Sequence, residues 1–161
     1  RGPRDAAARH RSLRHAIQWS YDLLDPEERR AFRATGVFAG GCTAGAAQAV
    51  LGPSPAALPA LEALVQASLL QRQAVAEQTR FLSLATIREF ALEQLDRHGE
   101  ADDARRHHAK HFARFAMRAY EELLRPEAPR WRAWVAAEHD NLRAAFGWAM
   151  GSASYEVVMQ R

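Results

Sequence analysis

The chain holds one cysteine, Cys42, in 161 residues, so it can form no internal disulfide and nothing in it requires an oxidising compartment. No apolar run approaches the roughly 20 residues that a membrane-spanning helix needs. There is no glycine-rich loop ending in Lys-Ser or Lys-Thr, and no apolar strand closing on paired acids, so the phosphate-cradling parts of a P-loop ATPase are missing. No low-complexity tract or clear internal repeat is present. An excess of one charge is nearly missing too: the net charge is +3, too modest to dictate a nucleic-acid partner. The chain begins Arg1-Gly2-Pro3 with neither methionine nor a signal peptide, which suggests a piece of a larger cytoplasmic protein.

What charge there is falls unevenly. Arg1, Arg4, Arg9, Arg11 and Arg14 crowd the start, and Arg105, Arg106, Lys110, Arg114 and Arg118 line a later stretch. Solvated helix faces explain both, and contact with an acidic domain or nucleic acid is the functional alternative. His107-His108-x-x-His111 offers two imidazoles one helical turn apart. Zinc needs three or four ligands and none nearby completes the set, so a solvated basic face is expected. Cys42 has no evident histidine base and reads as a small buried residue. Asp102-Asp103 and Glu121-Glu122 project about 100° apart on a helix and cannot converge as an acid/base pair. The four tryptophans read as packing residues. The residues thus give no catalytic set and no metal site.

Apolar spacing organises the rest into helices and one hairpin. Residues 1–10 are expected to fray. Leu13, Ile17, Tyr21 and Leu24 form a helical stripe with Ser12 as N-cap. Asp25-Pro26-Glu27-Glu28 ends that helix and starts another, which runs to about Thr35 and buries Ala31 and Phe32. Thr43 caps a small helix over residues 44–51, and Gly52-Pro53-Ser54-Pro55 is a turn. A broad apolar arc predicts a helix over residues 58–70. Residues 70–76 and 80–85 flank the polar turn Glu77-Gln78-Thr79 as the strands of a hairpin. Thr86 with Glu89 makes a capping box for a helix ending at Gly99. Beyond it the chain reads as all helix: residues 101–125 bury Phe112, Phe115, Ala116, Ala119, Leu123 and Tyr120. Trp131, Trp134, Val135, Leu142, Phe146 and Ala149 recur after Pro126 and Pro129, and residues 152–161 start a further helix. A helical bundle closed by a two-stranded hairpin is winged-helix architecture.

Several segments carry a family likeness in the same order. Trp19-Ser20-Tyr21-Asp22-Leu23-Leu24-Asp25-Pro26 resembles the Leu-Ser-Tyr-Asp-x-Leu-Pro opening of the winged-helix domain of STAND ATPases. Val37-Phe38-Ala39-Gly40-Gly41 and Leu61-Glu62-Ala63-Leu64-Val65-Gln66-Ala67-Ser68-Leu69-Leu70 are similar to that domain in bacterial LuxR-like and AfsR/SARP-like regulators. So is Thr86-Ile87-Arg88-Glu89-Phe90-Ala91. Ala137-Glu138-His139-Asp140-Asn141-Leu142-Arg143-Ala144-Ala145 resembles the segment that opens their tetratricopeptide-like (TPR-like) array.

The resemblance implies a fold that is mainly α: a linker at residues 1–10, a winged-helix domain at 11–98, and a helical arm at 100–161. It implies a non-catalytic segment that couples the ATP or ADP state of an upstream nucleotide-binding domain to downstream TPR-like repeats. No cofactor is expected on this segment itself, and no membrane. Ser83, Leu84 and Ala85 fall where relatives carry a Met-His-Asp nucleotide sensor, so the contacting imidazole is missing. Arg11, Arg14, Trp19, Tyr21, Asp22, Leu84, Ala85, Arg88 and Glu89 are the candidate interdomain contacts. DNA binding is the rival reading. Against it, the helix before the wing offers Glu62, Gln66 and Ser68, with no cation until Arg72, and the wing carries Glu77. A helical protein-interaction adaptor, built on the tryptophan-bearing face of residues 131–148, is a third reading.

Overall fold

Local capping chemistry starts two of the eight helices among the described residues. Asp25 accepts from the Glu28 backbone at 2.8 Å, and the Glu28 carboxylate accepts from the Asp25 N–H at 3.0 Å. This capping box, with Pro26 at the first helical position, launches α2 (Pro26–Thr35). Thr43 caps α3 (Ala44–Leu51) through its hydroxyl, which accepts from Ala46 N at 3.2 Å. The computed structural model describes residues 3–53 and 56–151, with the side chains of residues 3–8 and 10 outside that description. The remaining elements are α1 (Pro3–Asp22), α4 (Ala57–Gln66), β1 (Gln71–Val75), β2 (Gln78–Leu82), α5 (Ala85–Arg97), α6 (Ala101–Glu122), α7 (Ala128–Ala137) and α8 (His139–Gly151). The chain is mainly helical with one small antiparallel hairpin, the winged-helix arrangement expected from its sequence. The expected helix at residues 152–161 lies outside the described residues.

Tyr21, Phe32 and Phe90 form the aromatic centre, with ring centroids 5.4, 5.7 and 6.1 Å apart. Around them α2 packs on α3, α4 and α5, and α1 lies along α5. The buried cluster does not stop at the end of α5. It continues through Ala101, Ala104, Ala109 and Phe112 of α6 to Ala145 of α8. One core therefore spans the expected boundary near residue 99.

Several boundaries depart from the sequence reading. The first helix starts at Pro3, so residues 3–10 are helical and Ser12 is an interior position, not an N-cap. The run Ala6-Ala7-Ala8 has the highest helix propensity available and carries the helix back. The helix expected to reach Leu70 ends at Gln66. Ser68 turns into the left-handed region at φ 59°, and Leu69 N donates to Leu64 O at 3.0 Å in a Schellman closure. That closure buries Leu69 and Leu70.

The hairpin turn is the pair Ala76-Glu77, both at positive φ (49° and 62°), so Gln78 and Thr79 belong to β2. A two-residue turn of this hand matches the twist of the strands, at a cost for residues other than glycine. The α5 helix begins at Ala85 with Leu84 as N-cap and no side-chain cap, so the Thr86 capping box does not form. In α6, Ala116 and Tyr120 are exposed where burial was expected, and Phe146 in α8 is exposed too. Trp19 is exposed as well, at 69%.

Two glycines separate conformational need from steric need. Gly99 (φ 68°) follows the C-cap of α5, with Glu100 N donating to Leu95 O and Gly99 N to Asp96 O, each at 3.1 Å. A Cβ at Gly99 would meet nothing within 4 Å. At Gly41 (φ 72°) a Cβ would stand 2.5 Å from the Phe81 carbonyl oxygen. Gly99→Ala should therefore cost only the left-handed penalty, about 1–2 kcal/mol, whereas Gly41→Ala should cost clearly more. Chemical unfolding of both variants checks this, and equal midpoint losses would refute the clash.

Candidate interdomain interface

The hairpin stands between the helical bundle and the last two helices, and its two faces do different jobs. Phe81 faces the bundle; its backbone exchanges hydrogen bonds with Cys42 at 2.8 and 2.9 Å, which fixes the segment before α3 against β2. The neighbouring side chain must point the other way. That residue is Arg80, and it is only 2% exposed.

Arg80 meets Glu138, at the corner between α7 and α8, in a two-pronged pair with N–O distances of 2.6 and 3.1 Å. Glu138 is 4% exposed. The second arm of the guanidinium also donates to the carbonyls of Gly40 (3.0 Å) and Gly41 (3.2 Å). Asn141, fully buried one turn into α8, completes the set. Its amide donates to Gly41 O at 2.9 Å and to Glu138 Oε2 at 2.8 Å, while its oxygen accepts from Ala39 N at 2.9 Å. Three side chains thereby clamp the Ala39-Gly40-Gly41 bend, β2 and α8 together. A second tie runs beside it: Arg33 forks onto Glu100 with two contacts of 2.7 Å and donates to the Tyr21 hydroxyl at 3.0 Å. At the far end of the hairpin, Trp134 Nε1 of α7 donates to Ala76 O at 2.9 Å.

His108 of α6 sits behind the clamp, 3% exposed. Its ring lies against Phe38 and Phe112, and Nε2 donates to Asn141 Oδ1 over a long 3.4 Å. Burial pulls its pKa down to about 4, so the ring is neutral at pH 7. Burial also lowers that of His111, which is half-buried on the edge of Phe112. The solvated basic face expected for this histidine run therefore holds for His107 and fails for His108. Among the described residues no group of three potential ligands could hold a metal ion. Burial pushes the Cys42 thiol up to about 12, which removes it as a nucleophile at neutral pH.

The candidate contacts from the sequence divide by location. Arg11, Trp19 and Asp22 stand on the exposed side of α1, where Asp22 accepts from Gln18 at 2.8 Å. Arg14 is tied to Glu93 of α5 through two contacts, the longer 3.0 Å, which holds Glu93 below the usual carboxylate range. Tyr21 is buried in the aromatic centre, so its side chain is not available to another domain. Leu84, Ala85 and Glu89 are exposed around the start of α5, with Ser83 partly covered. Arg88 points inward, and its Nε donates to Phe38 O at 2.9 Å. Glu138 and Asn141 lie in a segment that carried the family likeness and Arg80 opens the second expected strand, but pairing between residues so far apart leaves no local signal.

No family model matches the chain, and no solved structure matches it. Curated proteins do. Two from Mycobacterium tuberculosis strains and one from Mycobacterium bovis are each 36% identical over 152 residues, and each is named as an HTH-type transcriptional regulator. The match covers 92% of this chain and 17% of each relative, so the chain corresponds to about a sixth of their length.

Removing one partner of a buried ion pair strands the other. Glu138→Ala should destabilise by about 3–5 kcal/mol, while the double variant Arg80→Met/Glu138→Leu should recover most of that loss. Denaturant midpoints of the single and double variants test it, and additive losses would show that the pair is not a unit. Because His108 has a lowered pKa when folded, the unfolded chain binds the extra proton below pH 6.5. Stability should then fall as pH drops toward 4, by roughly 2 kcal/mol between pH 7 and 5. His108→Leu should flatten that slope in urea melts, and an unchanged slope would assign it to other groups.

Proposed function

We propose that this chain is a regulatory segment of a larger transcriptional regulator of the STAND type. In this reading it passes the ATP or ADP state of a separate nucleotide-binding domain to a TPR-like helical array, and it performs no catalysis of its own. Three things support it. The relatives are named as transcriptional regulators and are about six times the length of the match. The winged-helix unit and the helical arm share one core and are tied by the Arg80–Glu138 and Arg33–Glu100 ion pairs, as a mechanical joint requires. The exposed positions Arg11, Trp19, Asp22, Leu84, Ala85 and Glu89 lie on α1 and the start of α5, outside the arm contact, where another domain has access. A segment of this kind alters activity only if it contacts the two nucleotide states differently.

The rival is direct DNA reading, which the words "HTH-type" in the relatives' names favour. The observation that weighs against it here is the state of the wing. Its turn is roofed by Trp134 of α7, and Glu77 on that turn faces Arg130 at 3.5 Å. On α4, the would-be reading helix, Glu62 already holds Arg72 at 3.1 Å. A wing held by the arm cannot enter a groove without breaking those contacts, and few free cations remain there to neutralise phosphates. DNA recognition is then a task for another part of the full protein.

Fluorescence anisotropy of a mixed-sequence duplex, titrated with the 161-residue chain at low and physiological salt, separates the two readings. We expect binding that physiological salt abolishes. Saturable binding that survives it would overturn the coupling reading in favour of a DNA reader.

A further inference from the structure

We propose that the cleft between α5, α6 and α8 is a binding site for one small oxyanion, a free phosphate or carboxylate, held by Arg88 and Arg105. The cleft has a volume of about 150 Å³, and its walls include Val37, Leu92, His108 and Trp148 beside the two arginines. Pockets for whole small molecules start at roughly 300 Å³. This one takes a single charged group.

The case rests on a cation with no ion-pair partner among the described residues. Arg88 is partly buried, and its Nε is spent on the Phe38 carbonyl, which fixes the plane of the guanidinium. The remaining fork is the half that suits two oxygens of one anion. Desolvation is the one influence on its titration, with no carboxylate raising it. A half-desolvated charge left in this state is costly, and an anion entering the cleft relieves the cost.

Arg105 faces the same space from α6. Its closest acid is Asp96, 3.9 Å away, with both side chains substantially exposed. That loose pair leaves the guanidinium free to turn toward the cleft at little cost. The other charged groups nearby do not compete. Glu138 is consumed by Arg80, and His108 is neutral at pH 7. Apolar walls from Leu92, Val37 and Trp148 lower the local dielectric and strengthen attraction for an anion. Because Arg88 lies on α5 and Arg105 on α6, with α8 closing the cleft, an occupant would bridge the bundle and the arm.

The test is thermal unfolding of the 161-residue chain in chloride at constant ionic strength, with phosphate or acetate replacing chloride across the millimolar range. A saturable rise in Tm of about 2–4 °C is expected, and whichever anion produces it identifies the ligand class. Arg105→Gln, which leaves the Arg88 bond to Phe38 intact, should abolish the rise. Exclusion of phosphate from the protein surface also stabilises, but without saturation and equally in the variant. No saturable rise with either anion, or the same rise in Arg105→Gln, would overturn the proposal. Should baseline stability obscure the Tm reading, broadening of the phosphate ³¹P line by the native chain, and its absence with Arg88→Gln, decides the same question.

Discussion

The joint between bundle and arm depends on burying one arginine and one carboxylate side by side. Two ions removed from water cost several kcal/mol each before any attraction is counted. The arrangement offsets that cost by leaving little polar capacity unused. Glu138 receives both arms of the Arg80 guanidinium and the Asn141 amide, and Arg80 spends its remaining reach on two backbone carbonyls. A looser set would be worse than an apolar contact, because a half-satisfied buried network carries the desolvation without the compensation. The demand for completeness fixes three things at once. The Ala39-Gly40-Gly41 bend must present its carbonyls inward, β2 must keep its register, and α8 must start where Asn141 reaches Gly41.

The other ties serve the same end from different directions. Arg33, Tyr21 and Glu100 join α1 and α2 to the start of α6, and Trp134 fastens the tip of the hairpin to α7. The buried core also runs from Tyr21 to Ala145, across the junction of bundle and arm. A winged-helix hairpin left free could serve as a probe for a partner. Here β2 is packed between the bundle and the last two helices, so the hairpin is not free to act in that way.

Legibility in the sequence followed the range of the interaction. The starts of α2 and α3 were readable because Asp25, Pro26 and Thr43 act within four residues of themselves. The end of α4 and the hairpin turn were not, because Ser68, Ala76 and Glu77 adopt left-handed backbone without the glycine that announces it. Tertiary contacts, Leu69 under the bundle and Trp134 on Ala76, hold them there. The capping box at Thr86 was a local pattern that lost to Leu84, two residues earlier. The clamp was invisible for a related reason. Arg80 stands beside Phe81 on β2, where the alternation of a hairpin with one wet face would turn it to solvent. Here β2 is covered on both faces, at Arg80 and at Phe81, while β1 stays exposed. The histidine run misled through helical phase: His107 and His111 share one face, and His108, about 100° away, is the one turned into the interior.

The outer strand of the hairpin has a further consequence. Every residue of β1 from Gln71 to Ala74 is exposed, and beyond β2 it has no neighbouring strand among the described residues. An unpaired strand edge invites addition of a strand from another molecule, the first step toward aggregation. This edge reads Gln-Arg-Gln-Ala-Val and is five residues long. Its charge, its shortness and the twist imposed by the Ala76-Glu77 turn make it a poor template. The protein thus keeps an open sheet margin without making it adhesive.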